Sequence, residues 1–266
     1  MVENNPKITS IYTAFIQKLE SGFHFHGETH DFWELVCVID GSISVAADER
    51  IFQLEKGQAI LHNPMQFHNI NCFSSISAEI VVFTFSGENI PAIQNKICKI
   101  MDLSEVSALY ELAQKYYNFS DISIMEPKIG NNSHLIFIKR LELFLIELAN
   151  HLLLREQTFS QGALNYSLIV NTVNERIDER LSVSDLARLC KMSEINLQKT
   201  FSKYAGVGVI EYFNRIKIHR AEKLLKSGLT VKETALKLGF NDQNYFSTVF
   251  KRITGHTPSY IKKLSD

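Results

Sequence analysis

Short runs of hydrophobic residues, each broken after five to eight positions, occupy residues 8 to about 100. The runs are rich in β-branched and aromatic residues, and glycine or proline separates them, as is typical of β-strands. The separating residues include Gly41, Gly57, Pro64 and Gly87. Many short strands at this spacing indicate a β-barrel or sandwich. We therefore predict a β-barrel domain over residues 1–103.

From about Ser104 the hydrophobic period becomes that of helices. One helix is predicted over residues 104–118 and a longer one over 133–157. A 3-4-3-4 spacing in the longer helix produces a seam of roughly two heptads. The seam consists of Ile138, Leu141, Leu145, Leu148 and Leu152. Either this helix packs on its own barrel or the seam forms a homodimer contact, and we assign residues 104–160 to a helical dimerisation segment. The polar stretch 155–165 is the predicted linker.

The last hundred residues contain an internal repeat, which indicates one structural unit used twice. "SVSDLARLCKMSEINLQKTFSKYAG" and "TVKETALKLGFNDQNYFSTVFKRITG" match at an offset of 48 residues and, after one insertion, of 49. Each copy opens with the pattern of a capping box, and Ser193 or Asn241 is placed to cap a second helix. The capping pairs are Ser182 with Asp185 and Thr230 with Glu233. Two short helices joined by a tight turn form a helix-turn-helix, whose second helix fits a DNA major groove.

The segment between the two copies, "VIEYFNRIKIHRAEKLLKSG", has an uninterrupted helical pattern. A helix of about 18 residues is ~27 Å long. A rigid element of that length can hold two recognition helices about one DNA turn apart on one face of the duplex. The fold class is therefore α+β multidomain: a β-barrel and a helical segment, then an all-α domain over residues 161–266 with two helix-turn-helix units joined by a linker helix.

Charge is distributed unevenly along the chain. Residues 165–266 contain 17 Lys and Arg against 10 Asp and Glu, whereas the remaining residues contain 11 against 19. A basic surplus in one region predicts that this region meets a polyanion. No apolar run reaches the ~20 residues that a membrane span needs, and the first residues lack the pattern of an export signal. Four separated cysteines fit a reducing compartment. We expect a cytoplasmic protein with no membrane partner.

Residues 221–263, "AEKLLKSGLTVKETALKLGFNDQNYFSTVFKRITGHTPSYIKK", resemble the most specific part of the DNA-binding domain of the AraC/XylS family of bacterial transcription regulators. They match the family's pattern A..LL, I/V..A...GF and YFS..FK...G.TP..Y. The resemblance extends over residues 166–264. It implies a regulator, more often an activator, that binds double-stranded DNA through both units, with RNA polymerase and a second copy of the chain as partners.

The outward positions of the two second helices are the predicted DNA contacts. Gln and Asn can bond adenine, and Lys can bond guanine or phosphate. The groove-facing candidates are Glu194, Ile195, Gln198 and Lys199 in the first unit and Gln243, Asn244, Ser247 and Thr248 in the second. Three further basic residues are assigned to the DNA backbone. They are Lys203, Lys251 and Arg252.

Two N-terminal stretches, "HDFWELVCVIDGS" and "LEKGQAILHNPMQFHNI", resemble the cupin-type sensor domain of such regulators. Polar residues near them are the candidates for binding a small-molecule effector. They are His24, His26, Glu28, His30, Glu34 and His68. Four of these, Glu28, His30, Glu34 and His68, could instead hold a divalent metal. Glu28 stands where a cupin metal motif has its first histidine, so we expect no metal and no enzymatic activity.

Two alternatives to an effector-binding regulator stay open. The first is a cupin metalloenzyme, or a metal sensor, fused to a DNA-binding domain. The second is an architectural DNA-binding protein that has no effector.

Overall fold

The protein is described by a computed structural model, which divides into two compact units, Met1–Thr158 and Phe159–Asp266. The first unit is mostly β and the second is helical. The residues that the structure describes are 5–72, 77–94, 96–117, 132–153 and 160–263. No helix within these ranges is both long enough and apolar enough to cross a membrane.

Eight strands in the described part of the first unit form two antiparallel sheets. They are β1 (Lys7–Leu19), β2 (Trp33–Asp40), β3 (Ser42–Ala47), β4 (Arg50–Glu55), β5 (Gln58–His62), β6 (His68–Asn71), β7 (Ala78–Glu88) and β8 (Cys98–Lys99). One sheet has the order β1-β7-β2-β5-β8 and the other the order β4-β3-β6. The predicted β domain is confirmed, but its barrel is not closed by a continuous ladder of described strands.

The five-stranded sheet is buried on both faces. Side chains alternate across a strand, so Leu35 and Cys37 of β2 point to one face, and Val36 and Val38 to the other. The first pair packs in a core with two helices, α1 (Leu103–Tyr116) and α2 (His134–Asn150). The second pair packs in a core with the three-stranded sheet. The central strand is therefore apolar from Leu35 to Ile39, between Glu34 and Asp40.

Helix α2 packs on the sheet of its own chain. Leu141, Leu145 and Leu148 are at most 1% exposed, and they lie in the same core as β1, β2 and β7. The buried carboxylate of Glu142 accepts a hydrogen bond from the backbone N–H of Ile8 at 2.9 Å. These three leucines have no surface left for a second chain, so the predicted dimer contact through them is wrong.

The ends of the predicted seam behave differently. Ile138 is partly buried against the same core. Helix α2 ends at Asn150 instead of continuing to residue 157, and Leu152 forms an isolated β-bridge with Cys98. Leu152 therefore belongs to a short extended segment beside β8 and not to a helical seam, which corrects its assignment.

The second unit contains the two predicted helix-turn-helix motifs. Its described helices are α3 (Gln161–Glu175), α4 (Val183–Leu189), α5 (Glu194–Ala205), α6 (Val209–Lys226), α7 (Val231–Lys237), α8 (Gln243–Thr254) and α9 (Pro258–Lys263). Helices α4 and α5 form the first motif, α7 and α8 the second, and α6 is the 18-residue linker helix. Helix α3 starts inside the predicted linker, whose residues 155–159 lie outside the described part.

The helix caps show where the repeat gains its extra residue. Both predicted capping boxes are present, at Ser182 and at Thr230. Ser193 caps α5 as predicted, but the cap of α8 is Asp242 and not Asn241. Asn241 is therefore the inserted residue, and it lengthens the second turn just before the recognition helix.

Candidate functional site

Four ionisable side chains meet at one place in the N-terminal unit. Glu34 lies on β2 of the five-stranded sheet, and His68 begins β6 of the three-stranded sheet. Glu28 and His30 lie in the irregular segment of residues 20–32 that connects β1 to β2. The backbones of Glu28 and His68 exchange two hydrogen bonds, of 2.9 and 3.1 Å. One ligand atom from each of the four side chains lies within 4.8 Å of the others. We call these residues the His-Glu cluster.

The two histidines of the cluster are held in the same tautomer. Nδ1 of His30 donates to the carbonyl oxygen of Phe32 at 3.0 Å, and Nδ1 of His68 donates to that of Gln66 at 3.0 Å. A carbonyl can only accept, so each Nδ1 carries a proton. The Nε2 atoms are consequently directed at the carboxylate of Glu34, at 3.4 Å from His30 and 3.3 Å from His68. Both imidazoles present the same type of atom to one anion.

Aromatic stacking fixes the ring of His30. It lies on Phe32 with ring centroids 3.8 Å apart, and Phe32 lies on Tyr12 of β1 at 4.4 Å. The Tyr12 hydroxyl is 2.9 Å from the Oγ of Ser86 on β7. The irregular segment is thereby attached to two strands of the five-stranded sheet, and His30 keeps its orientation although no regular element carries it.

Burial and mutual charge set the protonation of the cluster. Burial would raise the pKa of Glu34, but the charge on His68 and the hydrogen bond from His30 outweigh it and keep that pKa far below its usual range. Burial would lower the pKa of His68, but Glu34 raises it overall. Burial and the charge of Glu34 raise the pKa of Glu28. The carboxylate of Glu34 is therefore an anion, and that of Glu28 holds its proton more readily than usual.

His62 belongs to the wall of this site and was missed by the sequence analysis. It is directly opposite Glu34 in the β2–β5 register, and its ring stacks on His68 with centroids 4.4 Å apart. Full burial, together with the charge of His68, lowers the pKa of His62 to about 3, so this ring stays neutral. Only the register of β2 against β5 could have predicted its place.

The other two candidate histidines lie apart from the cluster. The ring of His24 is hydrogen-bonded to the side chain of Asn71. The ring of His26 meets that of His24 edge-on at 5.4 Å, and His26 is exposed. The structure therefore brings together four of the six predicted effector residues and leaves His24 and His26 outside.

The predicted DNA-contacting residues form the outer faces of α5 and α8. All are exposed except Ser247, which is half-buried. Ile195 is 79% exposed, an unusual value for an apolar side chain on a folded helix. On the opposite faces Phe201 and Phe246 are fully buried. Each second helix is therefore packed from behind, and its polar face is directed to the solvent.

Lys217 of α6 connects the two helix-turn-helix motifs. Its side chain is 4% exposed, and its ammonium group donates to the carbonyl oxygens of Glu179, before α4, at 2.6 Å and of Leu238, at the end of α7, at 2.8 Å. The ammonium also lies over the Phe213 ring, 4.3 Å from its centroid. Burial lowers its pKa to about 8. This buried cation fixes the distance between the motifs, and the basic surplus in the sequence had given no sign of its role.

Both units match known families. Residues 13–100 match the AraC-like ligand binding domain, and residues 186–263 match a helix-turn-helix domain. The chain belongs to the AraC family. This is a family of transcription regulators in which a ligand-binding domain precedes a helix-turn-helix domain.

Two relatives from Bacillus subtilis show how far the similarity of this AraC-family chain extends. The "Bifunctional transcriptional activator/DNA repair enzyme AdaA" of Bacillus subtilis is 30% identical over 99 residues, which are 37% of this chain and 47% of that protein. The chain thus spans about half the length of this relative. The "HTH-type transcriptional regulator YfiF" of Bacillus subtilis is 22% identical over 97% of this chain and 85% of its own length.

A crystal structure of apo ToxT from Vibrio cholerae aligns with 98% of this chain and 100% of its own, at 17% identity. The TM-score is 0.39.

Proposed function

We propose that the protein is a sequence-specific DNA-binding transcription regulator, acting as an activator in the cytoplasm. Its N-terminal unit takes an effector at the His-Glu cluster, and this effector alters DNA binding or the contact with RNA polymerase. The observation that carries the proposal is the pair of capped helix-turn-helix motifs, each with a polar second helix directed outward. The rigid helix α6 and the basic surplus support it.

The proposed mode of DNA binding follows from the spacing of the motifs. Each second helix enters a major groove, and polar side chains on its outer face read the edges of the bases. Basic residues at the ends of α5 and α8 hold the DNA backbone and fix the register. Because Lys217 connects both motifs, the two helices bind as one body along one face of the duplex.

The proposal also includes a homodimer. The buried leucines of α2 are unsuited to it, but the opposite face of the same helix exposes large apolar side chains. Among these are Ile136, Leu143 and Ile146, exposed by 48%, 51% and 36%. An apolar face of this kind is typical of a protein contact, so the second copy of the chain is assigned to it.

The experiment is a selection of DNA sites from a random pool by the full chain, followed by affinity measurements on the selected site and on single-base variants of it. Gln198→Ala should weaken binding by ~1–3 kcal/mol and relax the preference at one base position. Lys251→Ala should weaken binding about equally on all sequences and reduce the salt dependence, because it loses a phosphate contact. Gln161→Ala, an exposed glutamine on α3, is the matched control and should leave affinity unchanged.

A pool from which no sequence is enriched would contradict the proposal. If Gln198→Ala instead lost the same affinity on every sequence, Gln198 would be a backbone contact. The proposed base-reading role of the α5 face would then be wrong.

A further inference from the structure

We propose that the His-Glu cluster binds one first-row divalent transition-metal ion, and that this ion is an effector of the regulator. The second half rests on the proposed function, and the first does not. Glu28, His30, Glu34 and His68 supply the ligands, although Glu28 in place of a motif histidine had led us to expect no metal. The descriptions of the two matched families name no metal.

The orientation of the histidines is the first argument. A histidine that binds a metal usually donates its other ring N–H to a carbonyl or carboxylate, which fixes its tautomer. Both His30 and His68 donate from Nδ1 to backbone carbonyl oxygens at 3.0 Å. Each therefore directs Nε2 at a common centre. In this arrangement Nδ1 keeps its proton, and Nε2 is the atom that a metal would bind in place of a proton.

The buried nitrogen of His68 is the second argument. His68 is 1% exposed, and its Nε2 makes no hydrogen bond of standard geometry in the described part of the chain. It nevertheless lies 3.3 Å from Glu34 and 3.9 Å from Glu28. A buried polar atom without a hydrogen bond is costly. A metal ion between these atoms would satisfy the nitrogen and both carboxylates at once.

The balance of charge is the third argument. Two carboxylates lie within ligand distance of each other, and no Lys or Arg forms an ion pair with either among the described residues. A divalent ion would neutralise both. The ring of His62, stacked on His68 with centroids 4.4 Å apart, closes one side of the site.

The ligand set also selects the kind of ion. Imidazole nitrogen suits Zn²⁺, Fe²⁺, Ni²⁺ and Cu²⁺, whereas Mg²⁺ and Ca²⁺ prefer sites made of oxygen alone. Two nitrogens with two carboxylate oxygens therefore favour a first-row transition metal. A site with four protein ligands of this type is typical of tetrahedral Zn²⁺.

The position of the ligands suggests how the ion would act. Glu34 belongs to one sheet, His68 to the other, and the remaining two ligands to the irregular segment of residues 20–32. A bound ion would fasten this segment across both sheets. It can shift the regulator between two states only by the difference in its affinity for them.

The first experiment uses the full chain, stripped with a chelator and titrated with Co²⁺ in the absence of DNA. We expect one ion per chain, with visible ligand-field bands, displacement by Zn²⁺ and none by excess Mg²⁺. Glu28→Gln and His30→Gln should each lower the affinity for Co²⁺ by about 100-fold or more. This exceeds the loss usually seen when a residue that only hydrogen-bonds a metal ligand is replaced. The Glu28 side chain is 48% exposed, so its substitution should not disturb folding. His26→Gln is the matched control and should bind like the parent chain.

The absence of stoichiometric binding would overturn the proposal, and so would equal affinity in the His26→Gln and His30→Gln variants, which would mean an adventitious ion only. Neither result would affect the DNA-binding proposal, because no DNA is present.

The effector half is tested on the DNA site selected as above. Metal-loaded and stripped protein should differ in affinity by at least about 5-fold, as allosteric couplings usually do, and the difference should vanish in Glu28→Gln. Equal affinities of loaded and stripped protein would show a purely structural ion and overturn that half.

Discussion

The turns of the two helix-turn-helix motifs have equivalent hydrogen bonds but different surroundings. In the first motif the turn residue in the left-handed region is Lys191, with φ of 54°, and its side chain is exposed. In the second it is Gly239, with φ of 71°. A Cβ atom on Gly239 would lie 2.7 Å from the carbonyl oxygen of Asp178. The second turn is therefore packed against the segment that leads into the first motif.

This difference indicates that the motifs have unequal structural roles. Both turns are closed by the same hydrogen bond, from Met192 N–H to Ala187 O and from Phe240 N–H to Ala235 O, each at 2.9 Å. The repeat therefore preserves the local geometry of the unit. Of the two turns, the second contacts the segment that precedes the first motif, and the ammonium of Lys217 bonds both that segment and the end of α7. At the first turn the corresponding side chain, Lys191, is exposed.

The largest test of this comparison is Gly239→Ala. The substitution imposes left-handed strain of ~1–2 kcal/mol on a non-glycine residue, and overpacking adds ~1–3 kcal/mol. We expect the second unit to lose about 2–5 kcal/mol of stability, measured by native-state hydrogen exchange of amides in α7 and α8. Lys191→Ala, at the equivalent turn, is the matched control and should change stability by less than about 0.5 kcal/mol.

Equal losses in the Gly239→Ala and Lys191→Ala variants would contradict the comparison. The turns would then differ in sequence but not in their surroundings.

A smaller effect is expected from Lys217→Met, which retains the aliphatic stem against Phe213 and removes the ammonium. The partly buried carbonyl oxygen of Glu179 and the buried one of Leu238 then lose their donor. Each unsatisfied carbonyl costs ~1–3 kcal/mol, partly offset because a charge is no longer buried. We expect a net loss of about 2 kcal/mol, with faster exchange in both motifs. Lys223→Met, exposed on the same helix, should have little effect.

Faster exchange in the second motif alone would mean that Lys217 supports one unit and does not connect the two. The fixed spacing of the recognition helices would then need another origin.

The helical unit could be predicted closely because its signals are local. Capping boxes, turn residues and hydrophobic period lie within a few positions of one another, so α4, α6 and α7 follow from the sequence. The seam of α2 was ambiguous for the opposite reason. The spacing of Leu141, Leu145 and Leu148 is the same whether the partner is a sheet or a second helix, and only the tertiary structure distinguishes the two.

The His-Glu cluster was predictable only in the part that depends on local sequence patterns. Spacing indicated that Glu28, His30 and Glu34 lie near one another. The second cupin-like stretch of the N-terminal unit indicated His68. His62 and Lys217 depend on strand register and on packing between motifs, which are contacts between residues far apart in the chain. A short sequence pattern contains no information about them.

The smallest prediction concerns what the motifs have in common. The Ser182 hydroxyl accepts from Asp185 N–H at 3.2 Å, and the Thr230 hydroxyl accepts from Glu233 N–H at 3.2 Å. Ser182→Ala and Thr230→Ala should therefore each cost ~1 kcal/mol, read from the exchange of amides in α4 and in α7. The hydroxyls also bond the acidic partners and lower the pKa of Asp185 and of Glu233. This part of the stabilisation is present above the ordinary pKa values of 3.8 and 4.5 and is lost as the pH falls through the lowered values.

Both alanine variants should accordingly lose less stability at acidic pH than at neutral pH, and by similar amounts. Because the caps are local and the turns are not, a cap substitution should affect only its own motif. If Thr230→Ala also accelerated amide exchange in α4 and α5, loss of a cap in one motif would destabilise the other, as is expected for the turn at Gly239. The distinction between a repeated local geometry and a single shared contact would then fail.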